Sequence, residues 1–267
     1  MKSPKELSLE KKIVSKLTGT ALHFIELIFN DSEVFHLQSY ANTVSITRLN
    51  YNDHGPVHMK KVALNAIKIM EIMNSQNFKF SLEKEGAGSY DDSLVSVLAA
   101  SLLHDIGMSV GRDGHEINSS MLALPILSRI LAEVYKDKTD KQMIVRSMAL
   151  EGILGHMATR KIHSLEAGVI LIADGCDMEK GRSRIPMMIN EEPKIGDIHQ
   201  YSSASIQKVK ILKGKNKPLL IDIEMDASVG FFQVEEILLK KIYSSTLLPF
   251  IELSAGVENK EKKHYLN

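Results

Sequence analysis

Apolar residues recur along this chain at spacings of three and four, the signature of helices that bury one face. The pattern is sharpest before a histidine–aspartate pair. Leu94, Val97, Leu98, Ser101, Leu102 and Asp105 share one helical face, and Val95, Ala99, Leu103 and Ile106 add a second. That helix should be deeply buried, with Asp91 or Asp92 capping its start and Gly107 stopping its end. Upstream, residues 5–30 predict one amphipathic helix through Leu17, Leu22, Ile25 and Ile28, and Asp31-Ser32 opens a second reaching about Leu49. Pro56 suits a first helical turn, and the stripe that follows is His58, Val62, Ala66, Ile69 and Met73. Residues 76–90 read as a loop. His115 opens a helix to about Val134, with a kink expected at Pro125. Asp140 is placed to cap the next helix, whose stripe Ile144, Met148, Gly152 ends at His156. Ser164 is placed to cap another, with Glu166 in its first turn and Ala167, Ile170, Leu171 and Asp174 on one face.

After about residue 196 the period changes. Leu219, Ile221, Ile223 and Met225 alternate with Leu220, Asp222, Glu224 and Asp226, a strand with one polar face. Ile206 to Leu212 reads as a preceding strand, joined to it by a hairpin loop over Lys213–Pro218. Phe231 to Ile242 reads as a helix, Leu247 to Leu253 as a last strand, and Glu258 to Asn267 as a polar tail. The expected architecture is mainly α: a helical bundle over residues 1–195, with its core at 50–185, and a small ββαβ extension over 196–267.

Composition narrows the function. With 267 residues, 44% of them hydrophobic, the chain can bury one large core, with or without a small second unit. Its 33 basic and 33 acidic residues leave no net charge, so no overall field recruits nucleic acid or an anionic membrane. The single cysteine, Cys176, excludes an intramolecular disulfide framework and a cysteine-cluster metal site. No unbroken run of about 18 apolar residues and no signal-peptide core appear, so a cytoplasmic location is the expectation.

The chemistry lies where the stripes end. His58, His104-Asp105, His156 and Asp174 each terminate or begin a buried apolar face with a group that can bind metal. A buried imidazole beside a buried carboxylate is costly unless something satisfies both, and a divalent ion does so. Such an ion lowers the pKa of bound water toward neutrality, and with two ions Asp105 is well placed to bridge them. The basic cluster Lys180, Arg182 and Arg184 follows Asp174 and could bind substrate phosphate by charge-assisted hydrogen bonds. His23, His36, His163, His199 and His264 belong to no constellation.

His58-Met59-Lys60-Lys61-Val62, then His104-Asp105-Ile106-Gly107, then Asp174 in Ala173-Asp174-Gly175-Cys176-Asp177 resemble the H…HD…D signature of the HD-domain metal-dependent phosphohydrolases. The resemblance covers roughly residues 50–185. It implies a primary metal site of His58, His104, Asp105 and Asp174, with His115 and His156 as ligands for a second ion. Asn52-Asp53-His54-Gly55 and the segment Asp177 to Arg184 resemble a largely uncharacterised prokaryotic HD subgroup. The Gly-Tyr-Pro segment of the cyclic-di-GMP phosphodiesterases is absent from the sequence.

The expected activity is hydrolysis of a phosphomonoester or phosphodiester, a nucleotide by preference, through attack of metal-bound hydroxide, with one or two ions of Mn, Fe, Ni, Mg or Zn. Asp105, His54 and Asp177 are the candidate catalytic groups, and the general acid is open among His54, His115 and Asp177. The expected partner is a small phosphate ester, with neither membrane nor nucleic acid involved. An alternative is a non-catalytic module that senses nucleotide and metal and acts through oligomerisation, because small sheets with exposed edges serve as dimerisation elements. A homodimer fits either reading.

Overall fold

A computed structural model describes residues 1–180 and 198–267. The helical part comprises α1 (Pro4–Val14), α2 (Gly19–Asn30), α3 (Ser32–Thr43), α4 (Pro56–Asn74), the short α5 (Ser81–Lys84), α6 (Tyr90–Leu103), α7 (His115–Tyr135), α8 (Thr139–Gly155) and α9 (Leu165–Gly175). α6 is the centre: α2, α4, α8 and α9 all pack against it, and every residue from Asp92 to Leu103 is buried. The fold is therefore mainly α, as the periodicity predicts.

Local chemistry sets the element ends, sometimes differently from the sequence expectation. Residues 5–30 form two helices, because Gly19 turns the backbone into the left-handed region at φ +57° and Thr18 is extended. Asp31 caps α3 by accepting from Val34 N. The cap of α6 is Ser89, not Asp91 or Asp92: its hydroxyl accepts from Asp92 N while the Asp92 carboxylate accepts from Ser89 N. Asp140 likewise caps nothing and sits in the first turn of α8, which begins at Thr139. Ser164 caps α9 as expected, accepting from Ala167 N at 3.0 Å. Residues 76–90 contain α5 rather than loop alone. α7 continues through Pro125. By length and composition α7 is the one helix among the described residues that could cross a membrane, yet its inner face (Ala123, Ile126, Leu127, Ile130, Leu131) lies in the core.

Gly107 does not stop a helix. It sits in a tight 3-10 turn (Ile106–Ser109) where the start of α7 crosses so closely that a Cβ would lie 2.1 Å from the His115 carbonyl oxygen and 2.4 Å from Ser119 N. This close approach brings His115 beside Asp105.

The C-terminal part opens with a short helix, α10 (Ile198–Ala204), followed by β1 (Ile206–Lys213) and β2 (Leu219–Met225). A helical segment runs from Gln233 and finishes as α11 (Leu239–Ser244), and β3 (Ile251–Val257) and β4 (Lys263–Leu266) complete the sheet. The sheet order is β1-β2-β3-β4, with β2 and β3 parallel and the outer pairs antiparallel. The expected polar tail thus contributes a fourth strand, and the third lies several residues later than expected. Val257 and the half-buried Tyr265 and Leu266 pack on the core, which explains why the charged segment closes into a strand. The apolar sheet face, including Ile211, Ile221, Ile223 and Leu253, joins Met59, Leu98 and Val169 in one continuous hydrophobic cluster.

Candidate metal centre

Four histidines and two aspartates from four stripe ends and the start of α7 meet in the interior. His58, His104, Asp105, His115 and His156 are each at most 2% exposed. His58 stands in the first turn of α4, His104 and Asp105 just beyond α6, His115 at the start of α7, His156 just past α8, and Asp174 near the end of α9.

Hydrogen bonding fixes the tautomer of each ring. Nδ1 of His104 lies 2.9 Å from the Ser101 carbonyl, Nδ1 of His115 lies 2.9 Å from the Arg112 carbonyl, and Nδ1 of His156 lies 2.7 Å from the Ile153 carbonyl. A carbonyl oxygen only accepts, so each Nδ1 carries the proton. His58 Nδ1 donates to Asp177 Oδ2 at 2.7 Å. In neutral rings all four Nε2 atoms then present bare lone pairs inward. They do so in two facing pairs: His58 Nε2 to His104 Nε2 at 3.2 Å, and His115 Nε2 to His156 Nε2 at 3.1 Å. Two acceptors cannot satisfy one another at that distance without a cation. Nitrogens sharing one metal, each about 2.0–2.1 Å from it, stand about 2.9–3.4 Å apart at octahedral or tetrahedral angles. The observed pairs fall in that interval, so the residues fit a metal.

Asp105 divides its oxygens between the two pairs. Oδ2 is 3.3 Å from both His58 Nε2 and His104 Nε2, while Oδ1 is 3.3 Å from His115 Nε2 and 3.4 Å from His156 Nε2. Two sets, His58–His104–Asp105 and Asp105–His115–His156, can each hold an ion. Asp174 adds Oδ1 to the first, 3.2 Å from His58 Nε2 and 3.9 Å from His104 Nε2.

The electrostatics agree. Burial would raise the Asp105 carboxyl, but the imidazoles of His104, His54 and His115 around it hold it well below the usual carboxylate range. Burial would also raise Asp174, and the Lys241 ammonium with His58 and His104 overcomes this. Burial pushes the His156 imidazole down to about 4, so it is a neutral donor at neutral pH.

The remaining expected residues divide. Asp177 is in place behind His58, and its Oδ1 accepts from Lys61 Nζ at 3.0 Å. His54 lines the adjoining cavity, its Nδ1 2.6 Å from the Asn52 carbonyl. Lys180 is exposed, its backbone N donating to Ile206 O, and it does not line that cavity. Arg182 and Arg184 lie outside the described residues. The cavity, about 280 Å³, is lined by Asp105, His156, Asp174 and Asp177 on the metal side. Among the described residues its cations are Arg112, Lys240 and Lys241.

Two of these the sequence reading missed. Lys241, on α11, donates to Asp174 Oδ2 and to the His156 carbonyl at 3.0 Å. Gly175 admits it: a Cβ there would lie 2.9 Å from Leu238 Cδ1 and 3.2 Å from Lys241 Cδ. Arg112 shares a short loop with two glycines between the histidine–aspartate pair and His115, and that bracketing by two ligands was a readable signal.

Compared with known proteins, the chain is 39% identical over 249 residues to the uncharacterised protein MJ1020 of Methanocaldococcus jannaschii, an alignment covering 93% of each. The chain belongs to the family of that protein. No family model matches it, and no solved structure does. Kinship of this extent runs through both the helical part and the sheet, so the buried histidine–aspartate centre and Lys241 both lie within a fold that the two proteins share almost end to end.

Proposed function

We propose that the protein is an HD-type metal-dependent phosphohydrolase acting on a phosphomonoester or phosphodiester, with nucleotides the favoured class. One observation carries the reading: two inward-facing Nε2 pairs with a carboxylate oxygen of Asp105 against each, beside a cavity of substrate size. In this reading His58, His104, Asp105 and Asp174 hold one divalent ion, and Asp105, His115 and His156 hold a second. A nitrogen-rich donor set of this kind suits Mn, Fe, Ni or Zn better than Mg. Bound there, the metal supplies Lewis acidity and a water of near-neutral pKa.

The chain's own groups supply the rest. Asp177 fixes the His58 tautomer and is itself held by Lys61, so both its oxygens are engaged. His115 commits Nδ1 to a carbonyl and Nε2 to the metal side. Of the three candidates for general acid, His54 is the one we favour, because it lines the cavity and neither belongs to the two ligand sets nor stands behind a ligand. It stands on the cavity wall with Nδ1 against the Asn52 carbonyl, and as imidazolium it would donate a proton from Nε2 to the leaving oxygen.

The test is a phosphatase and phosphodiesterase panel on protein loaded in turn with Mn, Fe, Ni, Mg and Zn. At least one form should turn over, and chelation or Asp105→Ala should abolish it. If every loaded form stays inert and Asp105→Ala leaves metal content unchanged, the hydrolase reading fails. Tight nucleotide binding without turnover would favour the sensing alternative.

A further inference from the structure

Three cations line the cavity beside the candidate metal centre, and two are already committed. Lys241 is bound to Asp174, and Lys240 donates to Glu236 at 2.6 Å. Arg112 differs. Among the described residues no carboxylate pairs with it. Its guanidinium sits 5.6 Å from the centroid of the Tyr51 ring and makes one long contact, Nη1 to Met108 Sδ at 4.0 Å. A half-buried arginine with no acidic partner among the described residues forgoes much of its hydration, and an aromatic face returns only part of that. A carboxylate partner would stabilise it more, but would also compete with an incoming anion. Tyr51 holds the fork in place without occupying its five donors.

The position is equally specific. The Arg112 carbonyl accepts from His115 Nδ1, so the residue carrying the guanidinium also orients one of the candidate metal ligands. An anion held by the fork is thereby registered against the centre through a single residue.

We infer that Arg112 is the substrate-binding residue for a phosphoryl oxyanion at this site, the guanidinium taking two oxygens while Tyr51 supports it. The inference rests on the phosphohydrolase reading for what the anion belongs to. It assigns the phosphate contact to Arg112, in the loop before His115, rather than to Lys180, which does not line the cavity; Arg182 and Arg184 lie outside the described residues.

Calorimetric titration of the metal-loaded protein with inorganic phosphate tests it without turnover. Arg112→Gln should weaken phosphate binding by about tenfold or more, the scale of losing a charge-assisted bidentate contact. Arg112→Lys should recover part of the loss, since it keeps the charge and loses the fork. Metal content should equal wild type in both variants, because the backbone carbonyl that holds His115 remains. Wild-type protein that binds no phosphate, an Arg112→Gln variant that binds it as wild type does, or a loss that appears only together with metal would each overturn the inference. A wild type inert on every ester but sensitive to Arg112→Gln in phosphate binding would sink the hydrolase reading and leave the anion site standing. Turnover with undiminished phosphate affinity in Arg112→Gln would do the reverse.

Discussion

At the scale of single residues, the centre is organised by what stands behind each ligand. Three of the four imidazoles are held by backbone carbonyls three residues earlier, a feature of helix ends and tight turns. His58 is the exception, since Asp177 takes its Nδ1 proton. Outer partners of this kind set ring orientation and ligand basicity, and removing one costs about 10–100-fold in metal affinity. Asp177→Asn should therefore weaken the ion at the His58 site by that factor while the His115–His156 site keeps its ion. Competition with a metallochromic chelator would measure both. Equal affinities in variant and wild type would show that Asp177 only pairs with Lys61.

At the scale of elements, the helical stripes were legible because an apolar face that ends in histidine or aspartate is an anomaly with few remedies. Hence His58, His104, Asp105, His156 and Asp174 could be singled out from spacing alone. Lys241 could not. It lies in a charged helix among Glu235, Glu236 and Lys240, which reads as a solvated face. Only the tertiary approach permitted by Gly175 carries it inward. Gly107 and β4 were misread for the same reason, since a crossing distance and a strand pairing leave no local period. The fold class was readable throughout, because bundle and sheet have different periods.

Two expectations belong to this scale. Lys241→Met should loosen Asp174, lower metal affinity at the first site by about tenfold, and move the pH at which metal is lost upward. The sign follows from the ion pair: without the ammonium the Asp174 carboxyl rises, so protons compete earlier. Metal titrations across pH would check this, with Lys241→Arg restoring the profile. The second concerns α6. Burial would raise the Asp92 carboxyl, but hydrogen bonds from the Ser89 backbone, Lys141 and Tyr135 hold it below its ordinary value of 3.8. Its contribution to stability is then fully present above that value and lost as pH falls through the lower folded value. Asp92→Asn should cost about 1–3 kcal/mol at neutral pH and flatten the acid limb of stability, as read from urea unfolding at neutral and acid pH.

At the scale of the molecule, helices and sheet share one hydrophobic cluster, and the C-terminal part reaches the candidate centre through Lys241. The sheet is thus built into the site's surroundings. β1 and β2 pack against α4, which presents His58, and α11 packs against α9, which presents Asp174. A buried set of four bare imidazole nitrogens and two ionised carboxylates is poorly stable without cations, so metal binding should add to the stability of the whole fold.

The most direct measurement is anomalous diffraction at the absorption edge of the metal found in the purified protein. Two peaks are expected per chain, one among His58, His104, Asp105 and Asp174 and the other among Asp105, His115 and His156, with an Asp105 oxygen on each. An absence of anomalous density between the paired Nε2 atoms after loading with Mn, Fe, Ni or Zn, with the imidazoles still 3.1–3.2 Å apart, would contradict the metal centre itself.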